Sequence, residues 1–157
     1  MLPYASYDFY KGVFYGDTLT QENAVKWLDR ASDVVDHITF HRLRSAFPEA
    51  IDHAVKIRKG VCAIADALCL IDEQSKAASA QKAADGTYRG AVASVSSGRE
   101  SISFAVGGAA GASVYAVAAA SPEARMKLIF DIACTYFANV PDANGTNLLY
   151  AGGEQRV

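Results

Sequence analysis

The sequence predicts a mainly α fold: a small bundle of four to five helices, with a β-hairpin or long loop projecting between the central and last helices. Three observations lead there. Apolar residues recur at three- and four-residue steps in three separate segments, helix-start signals stand at Thr20, Pro48 and Ser121-Pro122, and period-two alternation is confined to one stretch before Phe104. A chain of 157 residues can bury a core as one domain, so residues 1–157 are expected to form a single unit. Within it, 86–120 would be the hairpin with a Gly/Ala-rich loop, and 141–157 a C-terminal tail.

Tyr4 to Tyr15 is aromatic-rich, with rings at Tyr7, Tyr10 and Phe14 at helical spacing, and predicts a short helix ending near Gly12 to Gly16. Thr20 is a good N-cap for the next segment. From Gln21 to Ile38, Ala24, Trp27, Leu28, Ala31, Val34, Val35 and Ile38 line one face, while Glu22, Lys26, Asp29, Arg30, Asp33 and Asp36 are expected on the solvated one. Ile38-Thr39-Phe40 should end this helix, because β-branched and aromatic side chains lose rotamer freedom in a helix.

Pro48 suits a first helical turn, with Glu49 and Asp52 complementing the helix dipole. The helix that follows carries a broad apolar surface (Ile51, Ala54, Val55, Val61, Cys62, Ala65, Leu68 and Cys69, widened by Ile57, Ile64 and Ile71), as befits a central helix packed from several sides. Gly60 inside it costs about 1 kcal/mol relative to alanine, which predicts a close helix crossing there.

Ser75 to Ala84 is helix-prone but lacks a large apolar stripe, and Asp85-Gly86 should end it. Val92 to Phe104 alternates around Ser97-Gly98 and is expected to form a hairpin or extended arm. Gly107 to Ala120 is rich in glycine and alanine and its conformation is left open by the sequence, with Gly107 to Gly111 reading as a flexible linker; the apolar run is shorter than the roughly 20 residues of a membrane span. Ser121-Pro122-Glu123 starts the last helix, whose core stripe would be Leu128, Ile129, Ile132, Ala133, Tyr136, Phe137 and Val140. Arg125, Lys127 and Asp131 are expected to face outward, Pro141 to Gly145 to terminate the helix, and Leu148-Leu149-Tyr150 to form an apolar knot.

The net charge of −2 gives no basic face for gripping nucleic acid. The first residues carry neither a basic nor a long apolar region of a secretory signal. Cys62, Cys69 and Cys134 form no Cys-x-x-Cys, which argues against a zinc site or disulfide framework and for small buried hydrophobes. His37 and His41 have the four-residue spacing of paired metal ligands, but the helix should end between them and no third ligand completes a set. Gly107-Gly108-Ala109-Ala110-Gly111 lacks the Lys-Ser/Thr of a phosphate loop, and no serine sits in a nucleophile elbow. Neither a catalytic residue, a metal nor a cofactor is expected.

The opening Pro3-Tyr4-Ala5-Ser6-Tyr7-Asp8-Phe9-Tyr10, the stretch Arg30 to Leu43 and the closing Asn147-Leu148-Leu149-Tyr150-Ala151-Gly152 resemble the head-tail connector (adaptor, head-completion) proteins of tailed bacteriophages and prophages. The resemblance covers nearly the whole chain except its middle. It implies a non-enzymatic virion component, made in a bacterial cytoplasm and placed at the head-tail interface. It also implies a homo-oligomeric ring, usually dodecameric, that joins the portal protein to a tail completion or stopper protein. DNA would pass through the channel without sequence-specific binding, and no membrane is involved.

Acidic residues crowd the segment before His37, and Arg42, Arg44, Lys56, Arg58 and Lys59 make the next one basic, a pattern that suits head-to-tail association. Arg42 and Arg44 are therefore candidate partner-binding residues. Val95, Ile102 and Phe104 of the hairpin and Leu148, Leu149 and Tyr150 of the tail join them, because little local core is available to cover them. Two departures from the family's pattern stand out: Gly107 to Ala120 resembles an insertion, and Ala151-Gly152-Gly153 follows the tail where an arginine is common. The alternatives are a prophage-encoded helical regulator that binds another protein, and a small helical enzyme with a ligand pocket.

Overall fold

The computed structural model describes residues 3–78, 81–82, 88–89, 94–97, 100–103 and 113–150. It is mainly helical, with helices α1 (Tyr7–Gly12), α2 (Gln21–Ile38), α3 (Arg42–Ser45), α4 (Ile51–Ala78), α5 (Val114–Ala120) and α6 (Pro122–Phe137). The chain forms two compact units, residues 1–69 with 127–157, and residues 70–126.

In the first unit, helix starts follow the local chemistry of the sequence. Ser6 caps α1 by accepting the Phe9 N–H at 3.2 Å, and at the start of α2 the Thr20 N–H donates to Asn23 Oδ1 at 2.9 Å. Helix α2 ends at Ile38, as the β-branched exit predicts. Helix α4 starts at Ile51, so Pro48 lies before the helix rather than in its first turn. The core joins Ala24, Trp27, Leu28, Ala31 and Val35 of α2 to Ile57, Val61, Cys62, Ile64, Ala65 and Cys69 of α4 and to Ile129, Ala133 and Phe137 of α6, closed by Leu43, Val140 and Leu148. Cys62 and Cys69 are buried as expected, whereas Cys134 is only partly covered.

Gly60 is where α4 and α6 meet. A Cβ built on it would lie 2.4 Å from Phe137 Cε1 and 3.0 Å from Tyr136 Cβ, so only a hydrogen fits. This is the close crossing that an interior glycine predicts. Gly16 plays the same part beneath α1, where a Cβ would lie 2.1 Å from Tyr10 Cζ.

Tyr10 is wholly buried, and its hydroxyl donates to Asp66 Oδ1 at 2.6 Å while accepting the Leu19 N–H at 3.0 Å. Burial, then the hydrogen bond to Asp66, pushes this hydroxyl from 10.0 up to about 12. Burial raises the Asp66 carboxyl as well, opposed by the Tyr10 hydroxyl. Both groups have folded-state values above their unfolded ones. Stability from Asp66 is therefore full below the ordinary carboxylate value and declines as pH rises through its raised one, and stability from Tyr10 is lost between pH 10.0 and about 12. Tyr10→Phe is expected to lose about 1–3 kcal/mol, because it strands the Leu19 N–H, and to steepen the acid-side decline by letting Asp66 rise further. Urea melts at several pH values measure both.

The second unit holds α5, capped by Ser113, which accepts the Tyr115 N–H at 3.2 Å. The Gly/Ala-rich loop expected within 86–120 is thus corrected for Val114–Ala120, where mostly small side chains form a helix with Ala118 buried. Ser121 accepts the Ala124 N–H at 3.3 Å and donates to Glu123 Oε2 at 2.7 Å, so α6 begins at Pro122 as predicted. The described backbone between α4 and α5 consists of strand segments β1 (Gln81–Lys82), β2 (Tyr88–Arg89), β3 (Ser94–Ser97) and β4 (Glu100–Ser103), paired antiparallel as β1 with β2 and β3 with β4. A projecting hairpin is not supported by this: its turn and flanks, Phe104 among them, lie outside the described residues. The tail expected over 141–157 is described only as far as Tyr150.

Candidate functional site

The candidate site grows from the end of α2. Buried Thr39 donates its hydroxyl to the Val35 carbonyl at 2.8 Å, and the next two residues, Phe40 and His41, are both left-handed, with φ of 55° and 59°. Neither is glycine, and a non-glycine residue held there costs of order 1–3 kcal/mol. Backbone bonds over-determine the corner: the Phe40 N–H donates to the His37 carbonyl at 3.2 Å, His41 to Asp36 at 2.7 Å, and Arg42 to Thr39 at 3.1 Å. The result is an aromatic ring held 53% exposed at Phe40.

Arg42 supports that ring. Its guanidinium carbon lies 5.5 Å from the Phe40 ring centre, while its Nη1 donates to the carbonyls of Asn147 at 2.8 Å and Leu148 at 3.4 Å. One side chain therefore braces the exposed aromatic and clamps the C-terminal segment. That segment is itself tied back, with the Leu148 N–H donating to the Val140 carbonyl at 2.9 Å and Pro141 bridging Asn147.

Under the corner lies Asp36, 1% exposed. It accepts Arg44 Nε and the Tyr4 hydroxyl, each at 2.5 Å, and Arg44 also reaches Asp33 at 3.7 Å. Burial, followed by the bond to Asp36, holds the Tyr4 hydroxyl well above its usual range. The expectation that Asp36 is a solvated surface charge is corrected here. Asp33 is indeed exposed, but Asp36 continues the buried line of Leu28 and Ser32 at four-residue steps, and the N-terminal segment covers it: the Tyr4 N–H donates to Ser32 Oγ at 3.0 Å.

Among the sequence-predicted partner residues, Arg42 and Arg44 are thus engaged within the fold, although Arg44 keeps a half-exposed side chain. Leu148 is fully buried and belongs to the core, which corrects the expectation that it lacks cover; Leu149 packs partly against that core, and Tyr150 is 54% exposed. Val95 and Ile102 are opposite one another in the β3–β4 pairing, their side chains outside the described set. The corner brings together Arg42, Leu148 and Phe40, the last of which sequence reasoning used only as a helix stop.

A second concave feature adjoins the same unit. Pro48, Glu49, Ala50 and His53 face Asp142 and Ala143 across a cleft of about 340 Å³. Asp142 is 7% exposed, and its Oδ1 accepts the Asn144 and Thr146 N–H groups at 2.8 and 2.9 Å. His37 sits in the last turn of α2 and His41 at the left-handed corner, and among the described residues no three His, Cys, Asp or Glu are grouped to hold a metal ion. No described helix is long and apolar enough to cross a membrane. No protein-family model, curated protein or solved structure matches the chain.

Proposed function

We propose that this chain is a structural, non-enzymatic assembly protein of the head-tail connector kind. It forms a ring on a portal at the head-tail interface of a virion, continues the DNA channel and meets a tail completion or stopper protein. The observation that carries this reading is Phe40, a half-exposed aromatic ring on two consecutive left-handed residues, with Arg42 braced behind it. A glycine would relax that backbone, so keeping phenylalanine there trades stability for what the ring touches. Aromatic residues and arginine are the side chains that dominate protein-protein contacts. The small helical bundle and the sequence resemblance to connectors support the same reading.

Phe40→Gly tests it. The variant is expected to be at least as stable as the native chain, gaining up to about 1 kcal/mol from relief of left-handed strain. It should nonetheless lose co-sedimentation with a phage portal protein that the native chain binds. Co-sedimentation equal to that of the native chain would refute the role given to Phe40.

A further inference from the structure

We propose that Asn144-Gly145 is a site of spontaneous deamidation, held in check by the turn that contains it, and that the product loosens the C-terminal segment. Asparagine before glycine is the pair in which the main-chain nitrogen most readily attacks the preceding side-chain amide, because glycine has no Cβ to crowd the approach. Asn144 and Gly145 are both exposed, Gly145 has a φ of 84°, and nothing lies within 4 Å of a Cβ built on it. The other asparagines, Asn23, Asn139 and Asn147, precede Ala24, Val140 and Leu148, whose side chains hinder the same attack. In the reaction the Gly145 nitrogen bonds to Asn144 Cγ, the Cγ–Nδ2 bond breaks, and Nδ2 leaves as ammonia with the proton that the Gly145 nitrogen gives up. Water then opens the five-membered imide. Cleavage at Cγ gives aspartate, and cleavage at the main-chain carbonyl gives isoaspartate.

The closed turn restrains the nucleophile. The Gly145 N–H donates to the Asp142 carbonyl at 3.0 Å, the Asp142 N–H donates to the Thr146 carbonyl at 2.7 Å, and Asp142 Oδ1 holds the N–H groups of Asn144 and Thr146. Attack therefore runs through local opening of the turn, and Asp142 governs how often that occurs. An isoaspartyl link carries the main chain through Cβ, adding one atom between residues 144 and 145, inside the rings that the Gly145–Asp142 and Asp142–Thr146 backbone bonds close. Either product also sets a new carboxylate close to that of Asp142, which is 7% exposed. The turn closes the pairing in which Leu148 donates to Val140 and Pro141 bridges Asn147, so its opening frees the carbonyls that Arg42 clamps. This inference is read on the isolated chain and is independent of the ring proposed above.

Peptide mass mapping of the full chain, aged at mildly alkaline pH, tests it. The mass gain of an amide turned to an acid is expected at Asn144 before any other asparagine, with isoaspartate as a separate chromatographic species. The native chain should convert roughly tenfold to a hundredfold more slowly than the chain unfolded in urea. Asp142→Ala should react faster than the native chain. Hydrogen exchange at the Thr146 and Leu148 amides should be faster in the converted chain than in the fresh one. Asn144→Gln, whose longer side chain closes a less favourable ring, should age without either change. A native chain that converts as fast as the unfolded one or stays intact, an Asp142→Ala rate equal to the native rate, or unchanged exchange in the converted chain would overturn the proposal.

Discussion

Gly60→Leu should unfold at markedly lower denaturant than the native chain, a loss of about 3 kcal/mol or more, and Gly60→Ala should lose about 1–2 kcal/mol. Two effects compete in the alanine variant. Helix propensity favours alanine by about 1 kcal/mol, whereas a Cβ placed 2.4 Å from the fully buried Phe137 ring forces that ring or the α4–α6 crossing to move. Overpacking wins because the obstacle is an enclosed aromatic ring rather than the far end of a flexible chain. Gly12 supplies the control: nothing lies within 4 Å of its added Cβ, so Gly12→Ala should be neutral or stabilising by up to about 1 kcal/mol. The crossing also predicts coupling. Phe137→Ala should cost about 3–5 kcal/mol alone and less in the Gly60→Ala background, where the new methyl enters the vacated space. Additive losses would show that the two residues do not meet.

The second large effect belongs to Arg44. Arg44→Ala leaves the Asp36 carboxylate 1% exposed with only the Tyr4 hydroxyl as side-chain partner, and is expected to unfold at clearly lower denaturant than the native chain near neutral pH. Asp36→Asn should cost less, because the half-exposed Arg44 head can return to water whereas the carboxylate cannot. A deficit in Arg44→Ala no larger than that of Asp36→Asn would mean that the guanidinium acts by packing alone.

The helices were legible wherever one local rule dominated. Periodicity placed the buried face of α2, Ser121-Pro122 placed the start of α6, and Gly60 announced a crossing without naming its partner. What was hidden depends on residues far apart in sequence. Asp36 reads as a surface charge until Tyr4, thirty-two positions away, is seen to cover it, and Arg42 reads as a basic patch until its bonds to Asn147 and Leu148 appear. Phe40 gave no sign of left-handed backbone, which a bulky aromatic residue rarely adopts, and His41, of a residue type enriched there, was read only through its spacing from His37. Val114–Ala120 was obscured by its glycine-rich approach, though alanine is the best helix former. The cleft at Asp142 needed the 141–147 loop to close on its own carboxylate, a turn that Asp142, Asn144 and Gly145 suggest only after the loop is seen.

The proposed role requires that copies of this protein associate with one another and with a portal. Negative-stain imaging of the full chain incubated with phage portal proteins tests this most directly. The expected image is a closed ring seated coaxially on the portal, with an open central channel. Bare portals beside dispersed single subunits would contradict it.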